Sequence, residues 1–123
     1  MAALYSDTIL EHFRRPRNRG RLDAPDLADE GVNPLCGDRI RIELKVDDGR
    51  VSAARFVGDA CAISVAAASI LTERLHGLPV SDVATIDDQT LLDALGADIT
   101  PGRRQCALLP LTVLRTAIAR RAP

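Results

Sequence analysis

Residues 33–46 read NPLCGDRIRIELKV, and two kinds of pattern meet inside that stretch. From Arg39 to Val46 the alternation is strict. Ile40, Ile42, Leu44 and Val46 point one way, and Arg39, Arg41, Glu43 and Lys45 the other, which is the signature of a half-buried strand. Asp47-Asp48-Gly49 then predicts a hairpin turn, because Asp and Gly tolerate positive φ. Val51 to Val57 is the expected return strand, with weaker alternation and room for a bulge. The stretch therefore sets an antiparallel hairpin.

The other half of the stretch, Cys36-Gly37-Asp38, sits at the mouth of that strand. Cysteine is usually buried and aspartate usually wet. If the extended run continues backwards, Cys36 and Asp38 share the face of Ile40, at the rim of the core. Gly37 between them permits an unusual backbone angle or the close approach of another group. A thiol and a carboxylate converging there would be costly without a partner. A bound metal is one partner that removes the cost.

Working outwards, residues 4–14 carry Leu4, Tyr5, Ile9, His12 and Phe13 at helical spacing, with Ser6 and Asp7 suited to a first turn. Pro16 and Gly20 end that helix. Residues 22–32, acidic with Pro and Gly, read as a surface loop. A long helix is expected from Ala60 to His76, with Gly77 in the C′ place. Short helices are expected near 80–85 and 88–95. The last helix runs to about Arg121. Pro110 suits only a first turn, so that helix is expected to begin just after Cys106.

The 123 residues fit one domain, 1–123. At 46% hydrophobic and 27% charged, the chain can bury a core. The net charge of −1 hides a pattern: residues 1–21 and 103–123 hold five arginines each, while the middle holds six basic and fifteen acidic residues. Only Tyr5, Phe13 and Phe56 could stack on bases, so nucleic acid is not an expected partner. No run approaches the ~20 apolar residues of a membrane span, and MAALYSDTIL has no signal-peptide pattern. A cytoplasmic location is expected, where thiols stay reduced.

Three cysteines in such a chain read as thiols or metal ligands. Cys61 follows Gly58-Asp59-Ala60 at an expected helix start, and Cys106 stands at another. Helix N-termini favour negative charge, so both are expected to have thiolate character. Three thiolates and one oxygen suit zinc, and thiolates also suit iron–sulfur clusters. The separations of 25 and 45 residues contain no CxxC pair, so three unrelated buried cysteines fit the spacing equally. His12 reads as packing on the inner face of its helix, His76 as lying near a helix C-terminus, and Ser64 and Ser69 as packing or back-bonding residues.

Three motifs in order now carry a resemblance. NPLCGD, FVGDACAISVAAAS and RRQCALLPL, preceded by YSDTILEHFRRPRNRG, resemble the U-type iron–sulfur cluster assembly family: IscU, SufU and the N-terminal domain of NifU. The resemblance covers nearly the whole chain. It implies an α+β fold with a small antiparallel sheet of about three strands, helices packed on one side, and the cysteines gathered at one end. It implies Cys36, Asp38, Cys61 and Cys106 as metal ligands, Cys36, Cys61 and Cys106 as the holders of a transient [2Fe–2S] cluster, and Cys106 as persulfide acceptor. It implies a cysteine desulfurase as sulfur donor and apo iron–sulfur proteins as acceptors.

Departures bear on the branch. Gln105 stands where IscU-like members carry a histidine, and ITPGRR stands where they carry Leu-Pro-Pro-Val-Lys. Arg103, Ile63-Ser64 and the Cys-Ala-x-Leu run look like SufU, yet the SufU insertion of roughly twenty residues before the third cysteine is missing. Two readings follow: a scaffold or carrier that binds iron or a cluster, and a zinc-dependent sulfurtransferase. A structural zinc module for interaction is a third, and long spacings with an Asp ligand count against it.

Overall fold

The computed structural model describes residues 5–120. Its centre is the expected hairpin. β2 (Asp38–Asp47) pairs antiparallel with β3 (Arg50–Asp59), from Arg39 opposite Asp59 to Asp47 opposite Arg50. Asp48 and Gly49 form the two-residue turn with φ of 53° and 76°. Positive φ at both positions is what a type I′ turn requires, and its twist matches that of the strands. Lys45 faces Ala53 while Val46 faces Val51, so Ser52 is the extra residue of a bulge in the return strand.

The expected loop at 22–32 is corrected. Its second half is β1 (Leu27–Asn33), which pairs antiparallel with β2 from Leu27 opposite Leu44 to Asn33 opposite Asp38. The sheet is three-stranded with order β1-β2-β3. Only Leu27 and Asn33 of β1 are buried, so the strand carries no alternating apolar face to read. Its Gly31, which looked like a loop residue, has a packing reason. A Cβ there would lie 2.7 Å from Val113 Cγ2 of the last helix.

One face of the sheet is covered by α2 (Ala62–Leu75) and α5 (Pro101–Ala119), while α1 (Asp7–Arg14) packs on α2. α3 (Val80–Val83) and α4 (Asp88–Ala94) complete the chain. Ile40, Ile42 and Leu44 of β2 and Phe56 of β3 are fully or nearly fully buried against this layer. α2 is buried nearly all round, from Ile63 to Thr72, which its alanines and serines allow by giving close approach on every side. Gly77 has φ of 85°, the left-handed C′ conformation expected after this helix. The expected α+β architecture, a three-stranded antiparallel sheet with its helices, is what the fold shows.

Two helix starts differ from expectation. α1 begins at Asp7, with the Ser6 hydroxyl accepting the Ile9 N–H at 3.0 Å; Tyr5 precedes it, and Leu4 lies outside the described residues, as does Arg121. α5 begins at Pro101, far ahead of the position expected after Cys106. Pro101, in the first turn, is the proline that suits a helix start, and Pro110 lies inside the helix.

The polar face of β2 is also more covered than a half-buried strand implies. Glu43 is fully buried. Its carboxylate accepts the Leu22 N–H at 2.7 Å and lies 2.8 Å from both Arg21 Nε and Arg41 Nε. Burial pushes this carboxyl up, and the Leu22 N–H with the two guanidiniums more than offsets that, holding it below the usual glutamate value. Three of the arginines near the two ends make ion pairs at the surface. Arg17 pairs with Glu11, Arg115 with Asp88 and Arg120 with Asp29.

Candidate metal centre

The site forms where the β1–β2 turn meets the start of α2 and the second turn of α5. Asn33 builds the turn. Its carbonyl accepts the N–H of Cys36 at 3.3 Å and of Gly37 at 2.8 Å, and its side-chain oxygen accepts the Leu35 N–H at 3.1 Å. Gly37 takes φ of 76°, the unusual angle its identity permits. The tight turn therefore brings Cys36 to the rim. The strand does not continue back to residue 36, so the parity argument holds for Asp38, on the core face with Ile40, and fails for Cys36. Pro34 to Gly37 are exposed, and Leu35 at the tip is 89% exposed.

Three of the four expected residues bring ligand atoms together. Cys36 Sγ, Cys106 Sγ and a carboxylate oxygen of Asp38 all lie within 4.8 Å of one another. The two sulfurs are 3.4 Å apart. Two thiolates on one tetrahedral zinc, each with Zn–S near 2.3 Å, stand about 3.8 Å apart, so the pair fits a soft cation with little movement. The Cys61 sulfur stands outside that circle, 3.7 Å from Ser64 Oγ, on the residue that caps α2. The donor set, three sulfurs and one oxygen, is the chemistry that zinc or iron with sulfide accepts.

Asp38 is 95% buried, with 5% of its surface exposed, and it is fully engaged. Oδ1 accepts the Cys61 N–H at 3.0 Å, and Oδ2 lies 2.9 Å from Ser64 Oγ. Burial pushes this carboxyl up. The Cys61 thiol, the Ser64 hydroxyl, the Cys36 thiol and the Cys61 N–H outweigh that and hold it below the ordinary aspartate value, so it is a carboxylate ready for a cation.

Cys106 overturns an expectation. It lies in the second turn of α5 with 3% of its surface exposed, so the helix start that was to give it thiolate character is a turn away. Burial first, then the Cys36 thiol and the negative charge of its neighbours, pushes the Cys106 thiol up to about 12. Cys61 does occupy the N-cap of α2, as expected.

Two residues that the sequence reading did not place at the site help to hold it. Asn33 Nδ2 lies 3.8 Å from Cys106 Sγ, in addition to shaping the turn. An Asn before a Pro is a turn signal, and that signal was available. Ser64, read as a packing residue, faces the site from inside α2. The other assignments stand as read. His12 packs between α1 and α2 with Nδ1 2.7 Å from Ser69 Oγ, and His76 is the exposed C-cap of α2.

Comparison with known proteins agrees with this geometry. The profile of the NifU-like N terminal domain matches residues 4–121. The chain is 33% identical over 115 residues to the iron–sulfur cluster assembly scaffold protein IscU 1 of Archaeoglobus fulgidus, covering 94% of this chain and 74% of that one. It is 34% identical to the zinc-dependent sulfurtransferase SufU of Bacillus subtilis, covering 95% of this chain and 90% of that one. That alignment runs over 134 positions, more than the 123 residues available here, so the Bacillus protein carries residues that this chain lacks. The N-terminal NifU-like crystal structure from Brucella abortus superposes with a TM-score of 0.77 at 22% identity, covering 97% of this chain and 96% of that one, which shows the shared fold. The chain belongs to the family of NifU-like N terminal domains.

Proposed function

We propose that this chain is an iron–sulfur cluster biogenesis protein, a scaffold and sulfur acceptor that holds iron or a nascent cluster at Cys36, Asp38, Cys61 and Cys106. The observation that carries it is the meeting of Cys36 Sγ, Cys106 Sγ and the Asp38 carboxylate within 4.8 Å. Relatives named as scaffolds and as a sulfurtransferase support the same reading. The cargo is iron and sulfide, and a [2Fe–2S] cluster is the product held in passing. Asp38 supplies a hard oxygen among soft sulfurs, which makes the site easier to open and suits a protein that gives its cargo away.

Sulfur arrives from a cysteine desulfurase. The acceptor on this chain is assigned to Cys106, which burial holds as a thiol in the closed site; once the site opens and it loses its proton, its thiolate attacks the outer sulfur of the donor's persulfide. One S–S bond forms here as one breaks there, and the donor leaves as a thiolate. Cys36 on its exposed turn covers the buried Cys106, so movement of residues 34–37 admits the donor. Apo iron–sulfur proteins are the acceptors, and the reaction takes place in the cytoplasm. Among the described residues no helix is long and apolar enough to cross a membrane.

Anaerobic incubation with ferrous iron, cysteine, a desulfurase and a dithiol that reduces the transferred sulfur to sulfide is expected to give a visible charge-transfer spectrum that a Cys36→Ser variant lacks. A colourless product that keeps stoichiometric zinc would overturn the scaffold reading in favour of zinc-dependent sulfur transfer. That alternative also has an expected signature. In it, Cys106→Ala abolishes stimulation of the desulfurase while the fold stays intact.

A further inference from the structure

Pro110 lies inside α5, where the residue at that position would ordinarily donate its N–H to the carbonyl of residue 106. Proline has no N–H to give, and its ring crowds that same carbonyl. The carbonyl released is that of Cys106, and a buried carbonyl needs a donor. Ser64 Oγ lies 2.7 Å from it. Ser64 is fully buried in the first turn of α2.

The same hydroxyl oxygen lies 2.9 Å from Asp38 Oδ2 and 3.7 Å from Cys61 Sγ. A hydroxyl has one hydrogen. The Cys61 thiol can donate to the Ser64 oxygen, but the Cys106 carbonyl and the Asp38 carboxylate can only accept. Two acceptors on two different elements therefore compete for one proton.

We propose that Ser64 is a positioning residue for the thiol–carboxylate site: its one proton is shared between the carbonyl that Pro110 releases and the Asp38 carboxylate, and this sharing fixes where Cys106 and Asp38 stand relative to each other. The inference rests on the metal-binding reading given above. Ser64 touches no cargo and acts through the two residues it joins. A mid-helix proline four residues after a ligand cysteine is, on this view, part of the site. It takes away the helix's own donor, so that Cys106 depends on α2 for its place.

The test separates this role from simple packing. Zinc(II) alone is titrated into the metal-free full chain against a chromophoric chelator, and thermal unfolding of the metal-free chain is recorded beside it. Ser64→Ala is expected to lower zinc affinity about 10- to 100-fold, the range for residues that orient ligands, and to lower the melting temperature. The double variant Ser64→Ala with Pro110→Ala restores an N–H to the Cys106 carbonyl. It is expected to recover the melting temperature and to leave the affinity low. Recovery of both together would show that Ser64 is merely structural and would overturn the proposal. So would a Ser64→Ala affinity within about threefold of the parent while Cys36→Ser loses binding, since that is below the range for an orienting residue. If Cys36→Ser binds zinc as the parent does, the metal-binding reading itself is wrong and the proposal falls with it.

Discussion

The sulfurs of Cys36 and Cys106 lie 3.4 Å apart although 70 residues of chain separate them. One comes from an exposed turn and the other from a buried helix position, so the contact exists only when the sheet and α5 are docked. A disulfide needs its sulfurs about 2.05 Å apart, so closing this pair takes a shift of the turn. Treatment of the metal-free chain with a disulfide-forming oxidant is expected to link Cys36 to Cys106 and leave Cys61 alkylatable. Zinc added first is expected to protect all three. Peptide mapping after alkylation checks both, and a dominant Cys36–Cys61 link would contradict the geometry.

Glu43 should govern part of the acid sensitivity of the fold. Its carboxyl sits below the ordinary value of 4.5 in the folded chain, despite burial, because the Leu22 N–H, Arg41 and Arg21 hold the charged form. A depressed folded value means that its contribution is complete above the ordinary glutamate value and fades as pH falls through the folded one. Glu43→Gln is expected to cost about 2 kcal/mol near neutral pH, since it removes charge-assisted bonds whose arginines are partly solvated. The gap between variant and parent in urea unfolding should narrow below pH 4.5. A gap that stays constant with pH would show that the charge is not what Glu43 contributes.

Leu35 offers a test that spares the fold. At 89% exposed it packs on nothing, so Leu35→Glu should change stability by less than about 0.5 kcal/mol. Beside Cys36, however, it lies where the sulfur donor of the proposed function would land. The variant is expected to slow sulfur transfer from the desulfurase at least about fivefold, the effect of losing a ~1 kcal/mol contact. Equal rates of single-turnover transfer would place the donor elsewhere.

Gly58 is expected to admit no side chain. A Cβ there would overlap the carbonyl oxygen of Arg39 on the neighbouring strand. Backbone cannot swing aside as a side-chain tip can. Gly58→Ala should therefore cost about 1–3 kcal/mol in chemical denaturation, the usual penalty of overpacking. Because Arg39 follows Asp38, zinc affinity should fall with it. An unperturbed variant would mean that β2 and β3 can part more easily than their pairing implies.

Much of this was legible before any coordinates. Strict alternation over residues 39–46, the Asp48-Gly49 turn and the long apolar run after Cys61 are local patterns, and they became β2, the hairpin and α2. β1 was not legible, because an edge strand with buried residues only at its two ends has no period to see. Gly31 gave a loop signal for what is a close crossing with Val113. Pro110 misled for a related reason. The rule against interior prolines assumes an unpaired carbonyl, and here Ser64 supplies the donor from another helix. Among the site residues, Asp38 followed from strand parity. The placing of Cys36 needed the turn at Gly37, and the burial of Cys106 needed the true start of α5.

The proposed ligands Cys36, Cys61 and Cys106 lie on a turn, at a helix start and in a helix interior, and this sets a schedule for synthesis. A growing chain lacks the Cys36–Cys106 sulfur pair while α5 is still unmade. An emerging chain therefore offers at most Cys36, Asp38 and Cys61, without the fourth proposed ligand. Translation must pass α5 before all four proposed ligands are present, and the completion of the site is written into the order of the elements along the chain.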